Sequence, residues 1–124
     1  MATVRNCNVS SNSLQGIKVL ERSSIIGNQL RSNGITGPYT AIWCTGDNNH
    51  VEGNVANGNG FGIFVAGTNN TIVRNVCSNS NSFNYSISAG NRVGTVTPGT
   101  TNAAIAGNSG GGLGTTDPNA NFAY

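Results

Sequence analysis

Cys44, Asp47 and His50 lie within seven positions of one another, and a thiol, a carboxylate and an imidazole are the parts of an activated-nucleophile site. His50 and Asp47 could also begin a metal site, but the sequence offers no third ligand beside them. The chain carries four acids in all, Glu21, Asp47, Glu52 and Asp117. No spacing sets a second carboxylate opposite Asp47 or Glu52, so paired acid–base chemistry lacks its parts. A second set of side chains points to binding rather than reaction. Trp43, Phe64 and Tyr39, together with Lys18, could offer ring faces and a cation to a sugar or to another protein surface. Which set can act depends on the direction each side chain faces, and so on the elements that carry them.

Those elements are short. Of the 124 residues, 36% are hydrophobic and only 8% are charged, with Val, Ile and Thr frequent and Leu confined to Leu14, Leu20, Leu30 and Leu113. That mix disfavours helix and favours strands joined by tight turns. The length fits one domain. A net charge of +2, scattered along the chain, gives no basic surface for nucleic acid. No apolar run approaches membrane-spanning length, so neither a nucleic-acid nor a membrane partner is expected. Met1-Ala2-Thr3-Val4-Arg5 has no signal-peptide apolar core, and the compartment is left open. The three cysteines, Cys7, Cys44 and Cys77, are an odd number without CxxC spacing. They are expected to be free thiols acting as small buried apolar residues.

Four segments repeat: "VRNCNV" from Val4, "IIGNQL" from Ile25, "VEGNVA" from Val51 and "IVRNVC" from Ile72. An Asn holds the fourth place in the last three, as Asn28, Asn54 and Asn75, whereas Cys7 stands there in the first. A second alternating run follows each: "GIKV", "AIWC", "GIFV" and "YSI". The spacing from Val4 to Ile25 is 21, from Ile25 to Val51 is 26 and from Val51 to Ile72 is 21, with the extra residues inside "RSNGITGPYTA". Two-residue alternation recurring at a near-constant period means stacked coils of parallel strands. Four columns should then fill the interior: Val4, Ile25, Val51, Ile72; Val9, Leu30, Ala56, Cys77; Ile17, Ile42, Ile63, Tyr85; and Val19, Cys44, Val65, Ile87. Asn and Gly are the corner pieces, because they tolerate left-handed backbone at sharp turns and stacked Asn amides can bond from coil to coil. Cys44 falls in an inward column, away from solvent, while His50 sits near a turn, which counts against the nucleophile reading. No catalytic residue, metal site or cofactor is expected.

The "IIGN", "VEGN" and "IVRN" motifs, with the "GI-V" runs that follow them, resemble the right-handed parallel β-helix repeat of the pectate-lyase-like superfamily, particularly its NosD-like members. The resemblance covers about residues 3 to 94 and implies an all-β solenoid of about four to five coils. Residues 1–95 would form the coils and residues 96–124 an irregular Gly-rich tail docked on them. The tail's "GNSGGGLG" is not a phosphate loop, since no Lys-Ser/Thr or strand-to-helix context follows. The end of the chain looks like the closing segment of larger bacterial β-helix proteins. Lyases of the superfamily need clustered acidic calcium ligands and a basic catalyst, and no position here matches them.

Lys18, Trp43, Phe64 and Ser86 alternate with inward residues, so they should share one outer face, with Tyr39 and Phe61 at its edge. A ligand could use that face, or protein could cover it: a second copy, or the tail with Phe122 and Tyr124. The "GITGPYT" insertion is a second place for recognition. The first coil should expose unpaired strand edges, which points to a homo-oligomer through that edge or through the aromatic face. The expected function is therefore a non-catalytic, self-assembling β-helix module with a binding or structural role. The alternatives are a carbohydrate-binding or carbohydrate-active protein and a structural fragment of a larger surface protein.

Overall fold

The computed structural model describes residues 1–98, 105–107 and 117–123. Their backbone winds through strands of two to five residues, three to a coil. The first coil holds β1 (Thr3–Arg5), β2 (Asn8–Ser10) and β3 (Ile17–Val19). The second holds β4 (Ser24–Ile26), β5 (Gln29–Arg31) and β6 (Thr40–Cys44). The third holds β7 (His50–Glu52), β8 (Val55–Asn57) and β9 (Phe61–Val65). The fourth holds β10 (Thr71–Val73), β11 (Val76–Ser78) and β12 (Tyr85–Ile87). The fifth holds β13 (Arg92–Val93), β14 (Val96–Pro98) and β15 (Ile105–Gly107), and a last strand, β16 (Asn121–Ala123), follows. Like strands stack into three parallel sheets: A from β1, β4, β7, β10 and β13; B from β2, β5, β8, β11, β16 and β14; C from β3, β6, β9, β12 and β15. The fold is a parallel β-solenoid.

All four expected columns are ladders of Cα partners. Val4, Ile25, Val51 and Ile72 run down sheet A and continue to Val93. Val9, Leu30, Ala56 and Cys77 run down sheet B. The Ile17 and Val19 columns run side by side down sheet C to Tyr85 and Ile87. In the second to fourth coils these side chains are buried, whereas Val4 and Val9 in the first coil and Val93 in the fifth are only half-buried.

The corners explain the asparagines. Each repeats a two-residue motif in which a left-handed residue, φ between 52° and 82°, precedes a ladder residue. At the corner between sheets A and B the left-handed residues are Asn6, Gly27, Gly53 and Arg74, and the ladder residues after them are Cys7, Asn28, Asn54 and Asn75. A Gly at 27 or 53 adopts that conformation without the strain an L side chain brings. The ladder itself is a relay of amides. Asn54 Oδ1 accepts from both the backbone N and the Nδ2 of Asn28, at 2.9 and 3.0 Å. Asn54 Nδ2 in turn donates to Ile25 O and to Asn75 Oδ1. Asn12, Asn33 and Asn59 form a second ladder, and Ser23, Asn49, Asn70 and Asn91 a third. Buried amides are tolerated here because donors and acceptors are paired from coil to coil.

Two expectations change. Cys44 and Cys77 are buried free thiols, but Cys7 is exposed. It holds the ladder place of the first coil, where its backbone N donates to Asn28 Oδ1. Phe122 does not cover the aromatic face; it lies on sheet B, paired with Val76 and Thr97. Past residue 95 the described pieces are the strands β14, β15 and β16, which join the sheets. Tyr124 and the part of "GNSGGGLG" beyond Gly107 lie outside the described residues.

Candidate functional site

Sheet C carries the site. Register alone aligns Lys18, Trp43, Phe64 and Ser86 across β3, β6, β9 and β12. Their neighbours in each strand point inward, so period-two alternation sends these four outward. The Lys18 Nζ lies 4.3 Å from the Trp43 ring centroid, a cation–π contact. Trp43 and Phe64 meet edge to face with centroids 6.0 Å apart and planes at 68°. Phe61 continues the cluster, 6.4 Å from Phe64 and 5.9 Å from Phe83.

Pro38, Thr40, Trp43, Phe61 and Phe64 enclose a depression of about 220 Å³. Thr40 pairs with Phe61, and pairing resumes at Ile42 with Ile63; Thr40 and Phe61 line the depression with Trp43 and Phe64. A Cβ on the intervening Gly62 would strike the Asn84 carbonyl oxygen, which is why the strand is bare there. Thr40 and Trp43, which help line the depression, each carry a buried polar atom, Oγ1 and Nε1, with no hydrogen-bond partner among the described residues. Both atoms are closed to solvent, so the ring faces are what the depression offers a ligand.

The structure thus brings Lys18, Trp43 and Phe64 together and adds Thr40 and Phe83, which the alternation pattern did not single out. Tyr39 belongs to the insertion instead: its ring packs against Gly37 and its backbone against Gly34. The other constellation comes apart. Cys44 is fully buried, and burial pushes its thiol up to about 12. Cys77 is likewise pushed up to about 12, so neither thiol supplies thiolate at neutral pH. Asp47 Oδ1 accepts from the backbone N and the hydroxyl of Thr68. His50 Nε2 donates to Glu52 Oε2 at 2.6 Å on sheet A, and Arg74 pairs with the other carboxylate oxygen. The His50 hydrogen bond first, and then the Arg74 charge, hold the Glu52 carboxyl below its usual value.

With that geometry in place, one comparison decides the family: the model of the periplasmic copper-binding protein (NosD) matches residues 1–112. The chain belongs to the NosD family. No curated protein and no solved structure matches it. The three-sheet stack is the β-helix expected of a NosD member. The copper in the family's description asks for imidazole and soft sulfur donors. The described residues of this NosD chain do not fit that demand. Its one histidine is already held by Glu52, two of its three cysteines are interior, and no three His, Cys, Asp or Glu converge among the described residues.

Proposed function

We propose that this NosD-family chain is a non-catalytic β-helix module that binds a glycan on the aromatic face of sheet C. One observation carries the reading: three aromatic rings, Trp43, Phe61 and Phe64, wall one small depression, beside a lysine. A sugar ring has an apolar face to lie on Trp43 or Phe64. Pockets for drug-sized ligands run roughly 300–1,000 Å³, so this depression suits a single ring at a time. A glycan array read with the unaltered chain and with Trp43→Ala tests the reading. The expected result is binding to at least one glycan class, weakened about tenfold or more by Trp43→Ala, the loss of about 1.4 kcal/mol or more. Binding to none, or binding indifferent to Trp43→Ala in a chain with unchanged circular dichroism, removes it.

A second reading is self-assembly through the first coil, favoured by Val4 and Val9, which are half-buried while their column mates in the second to fourth coils are covered. Pairing that edge with another copy would bury both. Light scattering at micromolar concentration is expected to give more than one chain per particle. A mass that stays at one chain up to tens of micromolar counts against it.

A further inference from the structure

In sheets A and C the fourth and fifth coils pair directly, β10 with β13 and β12 with β15. Sheet B differs. There β16 lies between β11 and β14 and pairs in parallel with both. Ile72 pairs with Val93, so the fifth-coil residue equivalent to Asn75 is Val96, and the one equivalent to Cys77 is Pro98. Val96 carries no side-chain amide to continue the ladder from Asn75. The last strand supplies what is missing. Asn121 Oδ1 accepts from the backbone N and the Nδ2 of Asn75, both at 3.0 Å. Asn121 Nδ2 donates to Ile72 O and Gly94 O, both at 2.9 Å. Ala123 stacks on Cys77 and is fully buried. From the interior, the Tyr85 hydroxyl reaches the carbonyls of Asn75 and Phe122 at 2.7 and 3.0 Å.

These contacts are a main-chain ladder, one amide and small side chains. None depends on the covalent route by which the strand arrives, and the same set is available in any copy of the chain. We propose that the slot between β11 and β14 is a strand-acceptor site, filled in cis by β16 and in trans by β16 of a second copy, so that copies exchange their last strand. The slot is selective: it takes a parallel strand with Asn at the ladder place and a residue no larger than Ala two places on. Residues 108 to 116 join Gly107 to Asp117, a connection of nine residues that can span at most roughly 30 Å. The site lies on sheet B, apart from the glycan face, and stands or falls independently of it.

Thr97 and Phe122 are Cα partners across β14 and β16 and permit a direct test. In full-length chains carrying Cys7→Ser, Thr97→Cys and Phe122→Cys are made separately, mixed in equal amounts, incubated and oxidised with oxidised glutathione. Exchange predicts a disulfide-linked heterodimer at tenfold or greater yield than Thr97→Cys mixed with Leu14→Cys, a residue exposed in the first coil. Both substitutions placed in one chain should close an internal disulfide, which checks the register without requiring exchange. Internal closure with a heterodimer yield no higher than the Leu14→Cys control overturns the proposal, because the strand then never leaves its own stack. Failure of internal closure overturns it as well, because the slot is then not filled by β16.

Discussion

Asn54→Ala should lower the stability of the fold by about 3–5 kcal/mol, seen as a fall in the urea midpoint and a melting temperature more than roughly 10 °C lower. The effect is large because the side chain, fully buried, works in two directions at once. Removing it strips an acceptor from the backbone N and the Nδ2 of Asn28, and a donor from Ile25 O and Asn75 Oδ1. A methyl group replaces none of these, and water has no route to a position closed by coils above and below. Asn54→Asp separates the two directions. It keeps an acceptor toward Asn28 but turns the donor into an oxygen facing the Ile25 carbonyl and the Asn75 amide oxygen. A carboxylate there meets two acceptors, so Asn54→Asp should be at least as damaging near neutral pH, despite being nearly isosteric. Equal stability of Asn54→Ala and the unaltered chain would mean that the amide relay contributes nothing net.

Gly62→Ala should cost about 3 kcal/mol and also disturb the aromatic face. A Cβ at this position lands inside the van der Waals radius of the Asn84 carbonyl oxygen and 3.1 Å from Cys77 Sγ. Asn84 O accepts from the Ile63 backbone N and Phe83 O accepts from Gly62 N, so β9 cannot move away without breaking its own pairing. The segment through residues 83 and 84 must give instead. Phe83 packs on Phe61, and Phe61 walls the depression, so the strain reaches the proposed glycan site. Urea denaturation would report the stability loss, and Trp43 fluorescence would report the change at the face. An unshifted Trp43 spectrum together with an unchanged midpoint would show that the backbone absorbs the methyl group without cost.

The stacked columns were legible because they are encoded twice, once by alternation within a strand and once by the recurring steps of 21, 26 and 21 residues between coils. An error of one residue would have sent every column outward, so the pattern admitted a single register. That register also placed Lys18, Trp43 and Phe64 on one face. Thr40 and Phe83 left no such trace. Each lies outside the alternating run of its coil, and each joins the face through contact, Thr40 at the depression and Phe83 against Phe61. Cys7 also departs from its repeat: the equivalent place in later coils is a buried Asn, whereas Cys7 is exposed.

The sequence alone determined the coil, its period and the inward and outward sets, since these follow from local alternation multiplied by repetition. The tertiary structure decided where β16 goes, which amides relay to which at the three corners, and which rings wall the aromatic depression. Those are facts of contact between residues tens of positions apart or at a non-repeating bend, and no periodicity in the chain announces them.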